Sequence, residues 1–134
     1  MEKIINTTDY LINRFRYKSS AFLVQWKSVQ MEDEQFKEVM NQQFRLMRQM
    51  KPVLWLEDAS KLDYTMLPEQ QEWWFSNVVG LFNSLKVQKY AILKPTEFYP
   101  ALALEQAVVE LEMAFGDRVQ VFSNTEDALI WLGV

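Results

Sequence analysis

Short apolar runs alternate with long amphipathic segments along most of the chain, and this alternation constrains the fold more than any other feature. The short runs are typical of buried strands, and the long segments repeat apolar residues at helical spacing. Strands that alternate with helices imply right-handed crossovers and a mainly parallel sheet. The runs are VLWL, KYAIL and VQVF, and the helical segments are MEDEQFKEVMNQQFRLMRQMKP, PEQQEWWFSNVVGLFNSL, LALEQAVVELEMAFG and NTEDALIWL.

Two further strand-like segments, YLINRFRY and AFLVQWKSV, precede this alternation and are separated by the polar turn KSS. In the first segment Leu11, Asn13 and Phe15 alternate with arginines, which is the period of a half-exposed strand. The pair predicts an antiparallel hairpin. The expected fold is α/β, with one domain over residues 1–134, a mainly parallel sheet of about five strands with this N-terminal antiparallel hairpin, and about four helices.

The composition excludes several classes of function. The chain has no cysteine and no histidine, so it contains no thiolate zinc site, no cysteine nucleophile and no histidine-based triad. Its net charge of −4, without a long basic run, argues against binding to nucleic acid. No glycine-rich phosphate loop precedes a helix, and no acid pair has a defined spacing. We therefore expect no cofactor, no tightly bound transition metal and no hydrolase activity.

Hydrophobic patterning bears on the cellular location. The N-terminus MEKIINTTDYLINRF lacks an apolar core of signal-peptide length, and no run approaches the ~20 apolar residues of a membrane helix. The sequence therefore predicts a cytoplasmic protein without membrane insertion.

The whole chain, and especially the strings FLVQW, KPVLWLEDASKLDYTMLPEQQEWW and VQVFSNTEDALIWL, resembles the SpoIIAA-like proteins. These are relatives of the STAS domain and of the CRAL-TRIO lipid-transfer fold. Members of the STAS group that antagonise anti-sigma factors are switched by phosphorylation of a serine in an Asp-Ser-Ser-Gly turn after a core strand. The resemblance implies that the string DYTM is the matching turn, with Thr65 as the phosphoacceptor candidate.

This turn departs from the family pattern at two positions. Tyr64 stands in place of the first serine, and Met66 stands in place of the glycine. A glycine would allow the backbone to approach a phosphate or partner closely, and a methionine side chain blocks that approach. The alternative interpretation is that Thr65 is an ordinary loop residue near a helix start.

Polar residues follow the predicted parallel strands at the edge of the sheet where open α/β folds bind ligands. We expect these loops to contact a partner or ligand. Asp58 and Lys94 follow neighbouring strands, and we expect an ion pair between them, for which a structural role is favoured over a catalytic one. The loop residues singled out are Asp58, Asp63, Tyr64, Lys94 and Tyr99.

Two helical segments carry apolar residues off their core-facing side. Trp73 projects roughly 140° from its stripe, so its ring either packs on a neighbouring element or is an exposed contact for a partner. In the later segment Leu102, Val109 and Met113 lie almost opposite the core residues. We expect this second stripe to form a homodimer interface, and cover by the N-terminal segment is the alternative.

These features favour a non-enzymatic regulatory or protein-interaction module of the SpoIIAA-like type, whose protein partner the sequence does not name. The alternative is a carrier or sensor of a small apolar or lipid-like ligand, and an enzyme comes third. A carrier requires an enclosed apolar cavity. An interaction module requires a solid interior and an exposed apolar patch.

We predict that Thr65 is not a stoichiometric phosphosite, because Met66 occupies the position where the phosphoacceptor turn has glycine. Intact-mass measurement of the protein isolated from its own host should show the unmodified chain as the major species. A major species heavier by one phosphate, mapped to Thr65, would contradict this prediction.

Overall fold

The computed structural model describes residues 1–134, and its six strands form one sheet in the order β1-β2-β3-β4-β5-β6. The first three strands pair antiparallel, and β3 to β6 pair parallel. The predicted fold class and the N-terminal hairpin are confirmed. The strands are β1 (Glu2–Thr7), β2 (Leu11–Arg16), β3 (Ala21–Trp26), β4 (Leu54–Asp58), β5 (Lys89–Leu93) and β6 (Val119–Phe122).

Four α-helices cover the two faces of the sheet. They are α1 (Asp33–Met50), α2 (Pro68–Ser84), α3 (Phe98–Phe115) and α4 (Thr125–Leu132), and a 3-10 turn spans Gly116–Arg118. The first three helices link neighbouring parallel strands in sequence order, so right-handed crossovers place all three on one face. The α4 helix packs on the other face. None of the helices combines the length and the apolar character needed to cross a membrane.

The core has a large part on one face of the sheet and a small part on the other. The larger cluster contains 28 buried residues and lies under α1, α2 and α3. The smaller contains 7 buried residues, including Ala128 and Leu132 of α4. Because successive strand residues point to opposite faces, Phe22 and Val24 belong to the first cluster and Leu23 to the second.

The ends of the helices follow from local residue chemistry. The α1 helix ends at Met50. Its C-cap residue Lys51 adopts a left-handed backbone with φ of 51°, and Pro52 prevents continuation of the helix. Pro68 occupies the first position of α2, where its missing N–H costs no helical hydrogen bond. The Asn124 side chain caps α4 by accepting a hydrogen bond from the Asp127 N–H at 2.9 Å.

Two elements differ from the sequence prediction. The edge strand β1 is a sixth strand that the pattern did not show, because a bulge near Ile4 interrupts its alternation and most of its residues are exposed. The α3 helix begins at Phe98, whereas the predicted segment began at residue 102. Pro100 lies in the first turn of α3, where a proline is tolerated, so it does not mark the boundary.

A matched pair of substitutions tests the two-sided structure of α3. Leu111 is 0% exposed in the larger core cluster, and Met113 is 83% exposed. We expect Leu111→Ala to lower the free energy of unfolding by about 2 to 5 kcal/mol, since it leaves a buried cavity. Met113→Ala should change it by less than about 0.5 kcal/mol. Urea unfolding followed by circular dichroism measures both, and equal losses would show that the face assignment is wrong.

Candidate functional site

An open cleft of about 690 Å³ lies at the carboxyl ends of the parallel strands. Its walls are the loop between β4 and α2, the loop between β5 and α3, and the first turn of α3. Phe98 and Tyr99 are each 69% exposed, and their rings meet edge to face with centroids 5.1 Å apart. The side chains that line the cleft include Ser60, Lys61, Asp63, Thr65, Thr96 and Glu97.

Hydrogen bonds fix the two loops of this cleft to each other. The N–H and the hydroxyl of Thr96 both donate to the Ser60 carbonyl, at 3.1 and 3.2 Å. The N–H of Ala59 donates to the Leu93 carbonyl at 3.0 Å. These hydrogen bonds fix the two loops in one arrangement, and the exposed aromatic rings of the first turn of α3 lie beside them.

The expected ion pair between Asp58 and Lys94 does not form. The Asp58 carboxylate accepts hydrogen bonds from the Ser60 N–H at 3.0 Å and from the Ser60 hydroxyl at 2.6 Å, as in an Asx turn. The Lys94 ammonium instead lies 3.4 Å from the carboxylate of Glu105 on α3. Each side chain has a closer partner on its own side of the cleft, which the sequence order of the strands did not indicate.

Tyr64 was predicted to lie in a loop that contacts a partner or ligand, and the structure places its side chain in the core. Its side chain is buried, and its ring stacks on Phe36 of α1 with centroids 4.2 Å apart. Its hydroxyl donates to the Asp33 carboxylate at 2.7 Å, and burial, followed by this hydrogen bond, raises the pKa of Tyr64. The residue therefore holds the loop onto α1 and does not face the cleft.

The other predicted loop residues, Asp63 and Tyr99, are exposed and line the cleft, as does the phosphoacceptor candidate Thr65. The chain contains no group of three or more Asp or Glu side chains arranged to hold a metal ion. An exposed aromatic pair beside hydroxyl groups is suited to contact with another molecule by stacking and burial.

The outer side of α3 carries the predicted second stripe. Leu102 is 41% exposed, Val109 is 53% exposed and Met113 is 83% exposed. The N-terminal segment does not cover them, because β1 lies at the far edge of the sheet and pairs only with β2. This finding removes the intramolecular alternative. Phe98 extends the same stripe by one turn, and sequence analysis missed it because the helix was predicted to start too late.

Trp73 lies half-buried on the side of α2 that faces α1. Its ring centroid is 6.3 Å from that of Phe36 and 6.1 Å from that of Phe44, and the Lys37 ammonium lies 5.6 Å from the ring. Of the two interpretations given above, the structure shows the one in which the ring packs on a neighbouring element.

The structure contains a buried polar cluster around Glu57, a residue that sequence analysis did not single out. The Glu57 side chain lies on the face of the sheet that α1, α2 and α3 cover, and it is 5% exposed. The Trp26 indole N–H donates to its carboxyl at 2.6 Å, the Gln43 amide at 2.7 Å and the Trp55 indole N–H at 3.0 Å. These donors come from β3, α1 and β4, so one carboxyl group connects three elements.

No cation balances this carboxyl group, because the salt bridges of the chain involve only Glu2 and Glu105 among its acids. Burial raises the pKa of Glu57 from 4.5 to about 7, and the three N–H donors offset only part of this effect. The neighbouring Asp58 carboxylate raises it slightly further. Burial, followed by the charge of Glu57, also raises the pKa of Tyr90 well above 10.0.

A small cavity of about 20 Å³ lies beside Glu57 and is lined almost entirely by apolar and aromatic side chains, among them Trp26, Trp74 and Tyr90. Its size suits about one water molecule. The Tyr90 hydroxyl and the Gln43 side-chain oxygen have no hydrogen-bond partner within the protein. The three hydrogen bonds to Glu57 and the buried side chains around it make this polar cluster a packed structural element.

Glu57 gives the protein a defined pH dependence of stability. The unfolded chain releases this proton near 4.5, whereas the folded chain holds it up to about 7. The contribution of protonated Glu57 to the free energy of unfolding is thus complete below pH 4.5 and is lost as pH rises through about 7. The total loss is about 3 kcal/mol. From about pH 5.5 to 8.5 we expect wild type to lose about 2 kcal/mol relative to Glu57→Gln, which cannot titrate.

Urea unfolding across this range measures the difference. The exposed Glu110→Gln variant is the control. Its free energy of unfolding should change with pH in parallel with that of wild type. If the Glu57→Gln curve is also parallel to wild type, the carboxyl group does not titrate in the folded state as the burial argument requires.

Comparisons with protein-family models, with curated proteins and with solved structures found no match to this chain.

Proposed function

We propose that this protein is a non-enzymatic, regulatory protein-interaction module that presents the outer side of α3 to a protein partner. The observation that carries the proposal is an exposed apolar stripe on a helix whose opposite side packs in the larger core cluster. The stripe consists of Phe98, Leu102, Val109 and Met113 and is called the α3 stripe below. Exposed apolar patches of this kind mark protein–protein contact sites.

The geometry of the α3 stripe supports contact with an extended partner surface. Its residues are spaced by four, seven and four positions, so they fall on one side of the helix. At ~1.5 Å per residue the stripe is about 22 Å long. The exposed ring of Tyr99 adjoins the N-terminal end of the stripe and connects it with the cleft at the carboxyl ends of the strands. Aromatic side chains in such positions contribute most to binding when a partner buries them.

The alternative function is a carrier of an apolar or lipid-like ligand. The space beside Glu57 is too small for such a ligand. Ligand pockets have volumes of ~300 to 1,000 Å³. The enclosed space beside Glu57 is about 20 Å³. The abundant aromatic and methionine side chains fill the core, with Trp55 and Tyr90 stacked at 3.6 Å between ring centroids.

The SpoIIAA-like character of the module is part of the proposal and rests on the sequence strings quoted above. Thr65 is exposed on the loop before α2, beside Asp63 and within the strand-end cleft. The carboxylate of Asp63 would repel a phosphate on Thr65. In the proposed function the module therefore acts by binding its partner at α3, and phosphorylation of Thr65 does not regulate this binding.

Affinity capture from an extract of the native host tests the proposal. The baits are wild type, Val109→Glu in the middle of the α3 stripe, and Ile130→Glu on α4. Ile130 is 77% exposed and lies on the opposite face of the sheet, so this variant adds the same charge at a matched site. We expect at least one protein to be retained by wild type and Ile130→Glu and reduced about tenfold with Val109→Glu. Equal retention by all three baits would contradict the proposal.

The same samples test the carrier alternative. Mass spectrometry of organic extracts from the natively purified protein should show no apolar small molecule at near one per chain. A stoichiometric apolar ligand would overturn the proposed function in favour of the carrier.

A further inference from the structure

The charges on α2 and α3 have one sign only. The two helices contain Glu69, Glu72, Glu105, Glu110 and Glu112, and neither contains a lysine or an arginine. The α1 helix, by contrast, carries Lys37, Arg45 and Arg48. The face of the molecule formed by α2 and α3 is thus acidic, although the whole chain has a net charge of only −4.

These glutamates border the α3 stripe on both sides. At ~100° per residue, Glu105 and Glu112 flank one side of the stripe, and Gln106 and Glu110 flank the other. The Gln106 side chain accepts a hydrogen bond from the Gln71 amide at 3.2 Å, which identifies this second side as the one facing α2. An apolar stripe between two acidic borders matches an apolar partner stripe between two basic borders.

A shallow pocket between α2 and α3 adds a specific feature to this border. It has a volume of about 230 Å³ and is lined by Pro68, Gln71, Glu72, Ala107 and Glu110. Both of its carboxylates are exposed, and neither makes a salt bridge. A lysine or arginine side chain from a partner would find two carboxylates here, within reach of the stripe.

Two of the basic groups next to this face have partners within the protein. Lys94 lies 3.4 Å from Glu105, at one border of the stripe. Arg118 lies over the rings of Phe82 and Phe115 and donates to the Val87 carbonyl. The remaining carboxylates of the two helices have no internal counter-charge, namely those of Glu69, Glu72, Glu110 and Glu112.

We infer that the partner of this face is a cationic amphipathic helix, which lays an apolar row on the α3 stripe and places lysine or arginine side chains against the glutamates of α2 and α3. This inference rests on the proposed function. It names the chemistry of the partner for the same surface, because amphipathic helices bind hydrophobic surfaces through apolar residues at i, i+3, i+4 and i+7.

A second copy of the chain fits this face less well. A two-fold contact through α3 would bring glutamate borders against glutamate borders, and like charges in register oppose association. An anionic membrane surface is repelled for the same reason. The homodimer expected from the sequence is therefore an alternative outcome of the experiment below.

Two peptides of about 18 residues serve as probes, with the helical repeat described for amphipathic partners. One has leucines at i, i+3, i+4 and i+7 and lysines elsewhere, and in the other every lysine is replaced by glutamate. Calorimetric titration should give one-to-one binding of the Leu/Lys peptide, at least about tenfold tighter than that of the Leu/Glu peptide and weakened by salt.

Four variants locate the contact. Val109→Glu and Glu110→Lys should each weaken binding of the Leu/Lys peptide by at least about fivefold. Ile130→Glu on α4 and Glu38→Lys on α1 make the same charge changes at exposed sites away from the face, and their affinities should stay within about twofold of wild type. Circular dichroism confirms that each variant is folded before titration.

Three results would overturn the inference. One is equal affinity for the two peptides, and another is equal weakening by the face variants and their controls. The third is a wild-type dimer in sedimentation equilibrium that Val109→Glu abolishes, since the occupant is then a second copy. If the host partner depends on Val109 but the peptides do not discriminate by charge, the interaction module stands and the cationic partner fails. If Val109→Glu changes neither assay, both proposals fail.

Discussion

The carboxyl group of Glu57 is the interaction on which the larger core depends. It accepts N–H groups from Trp26 at 2.6 Å, Gln43 at 2.7 Å and Trp55 at 3.0 Å, and thereby joins β3, α1 and β4. Burying a carboxyl group costs several kcal/mol unless its hydrogen bonds are made, so these donors must be in place for the core to close. In the native register Val24 pairs with Glu57, and a shift by one residue would turn Glu57 towards α4 and away from its donors.

The packed core around Glu57 holds the surface elements in fixed positions, and the proposed function depends on one of these elements, α3. The stacked rings of Trp55 and Tyr90, at 3.6 Å, and the three donors around Glu57 fill the space between the sheet and α1 to α3. The hydrogen bonds from Thr96 to Ser60 hold the strand-end loops in one arrangement. The α3 helix is therefore presented on a rigid base, and a rigid base lowers the entropy lost when a partner binds.

The sequence predicted what local periodicity determines, and the misses have separate physical causes. The alternation in β2 and β3 and the 3.6-residue period of α1 to α3 gave the fold class, and they also gave the exposed positions Leu102, Val109 and Met113. A bulge interrupts the alternation of β1, and the start of α3 was predicted at residue 102 although the helix begins at Phe98. Glu57 was not singled out, because its donors Trp26 and Gln43 are 31 and 14 residues away along the chain. Its spacing of two from Trp55 in an apolar strand was the one local signal of a core-facing position.

The glutamates around the α3 stripe address a problem that any exposed apolar helix face creates. Leaving large apolar side chains in water invites association with any apolar surface, and charged residues beside such a patch suppress it. On α3 these residues all have the same sign, so the borders that disfavour contact between two copies favour contact with a basic surface. Lys94 is paired with Glu105 on one border, whereas Glu110 stays unpaired beside the pocket shared with α2. The stronger attraction for a cation therefore lies on the α2 side, which gives the partner helix a preferred lateral position on this face.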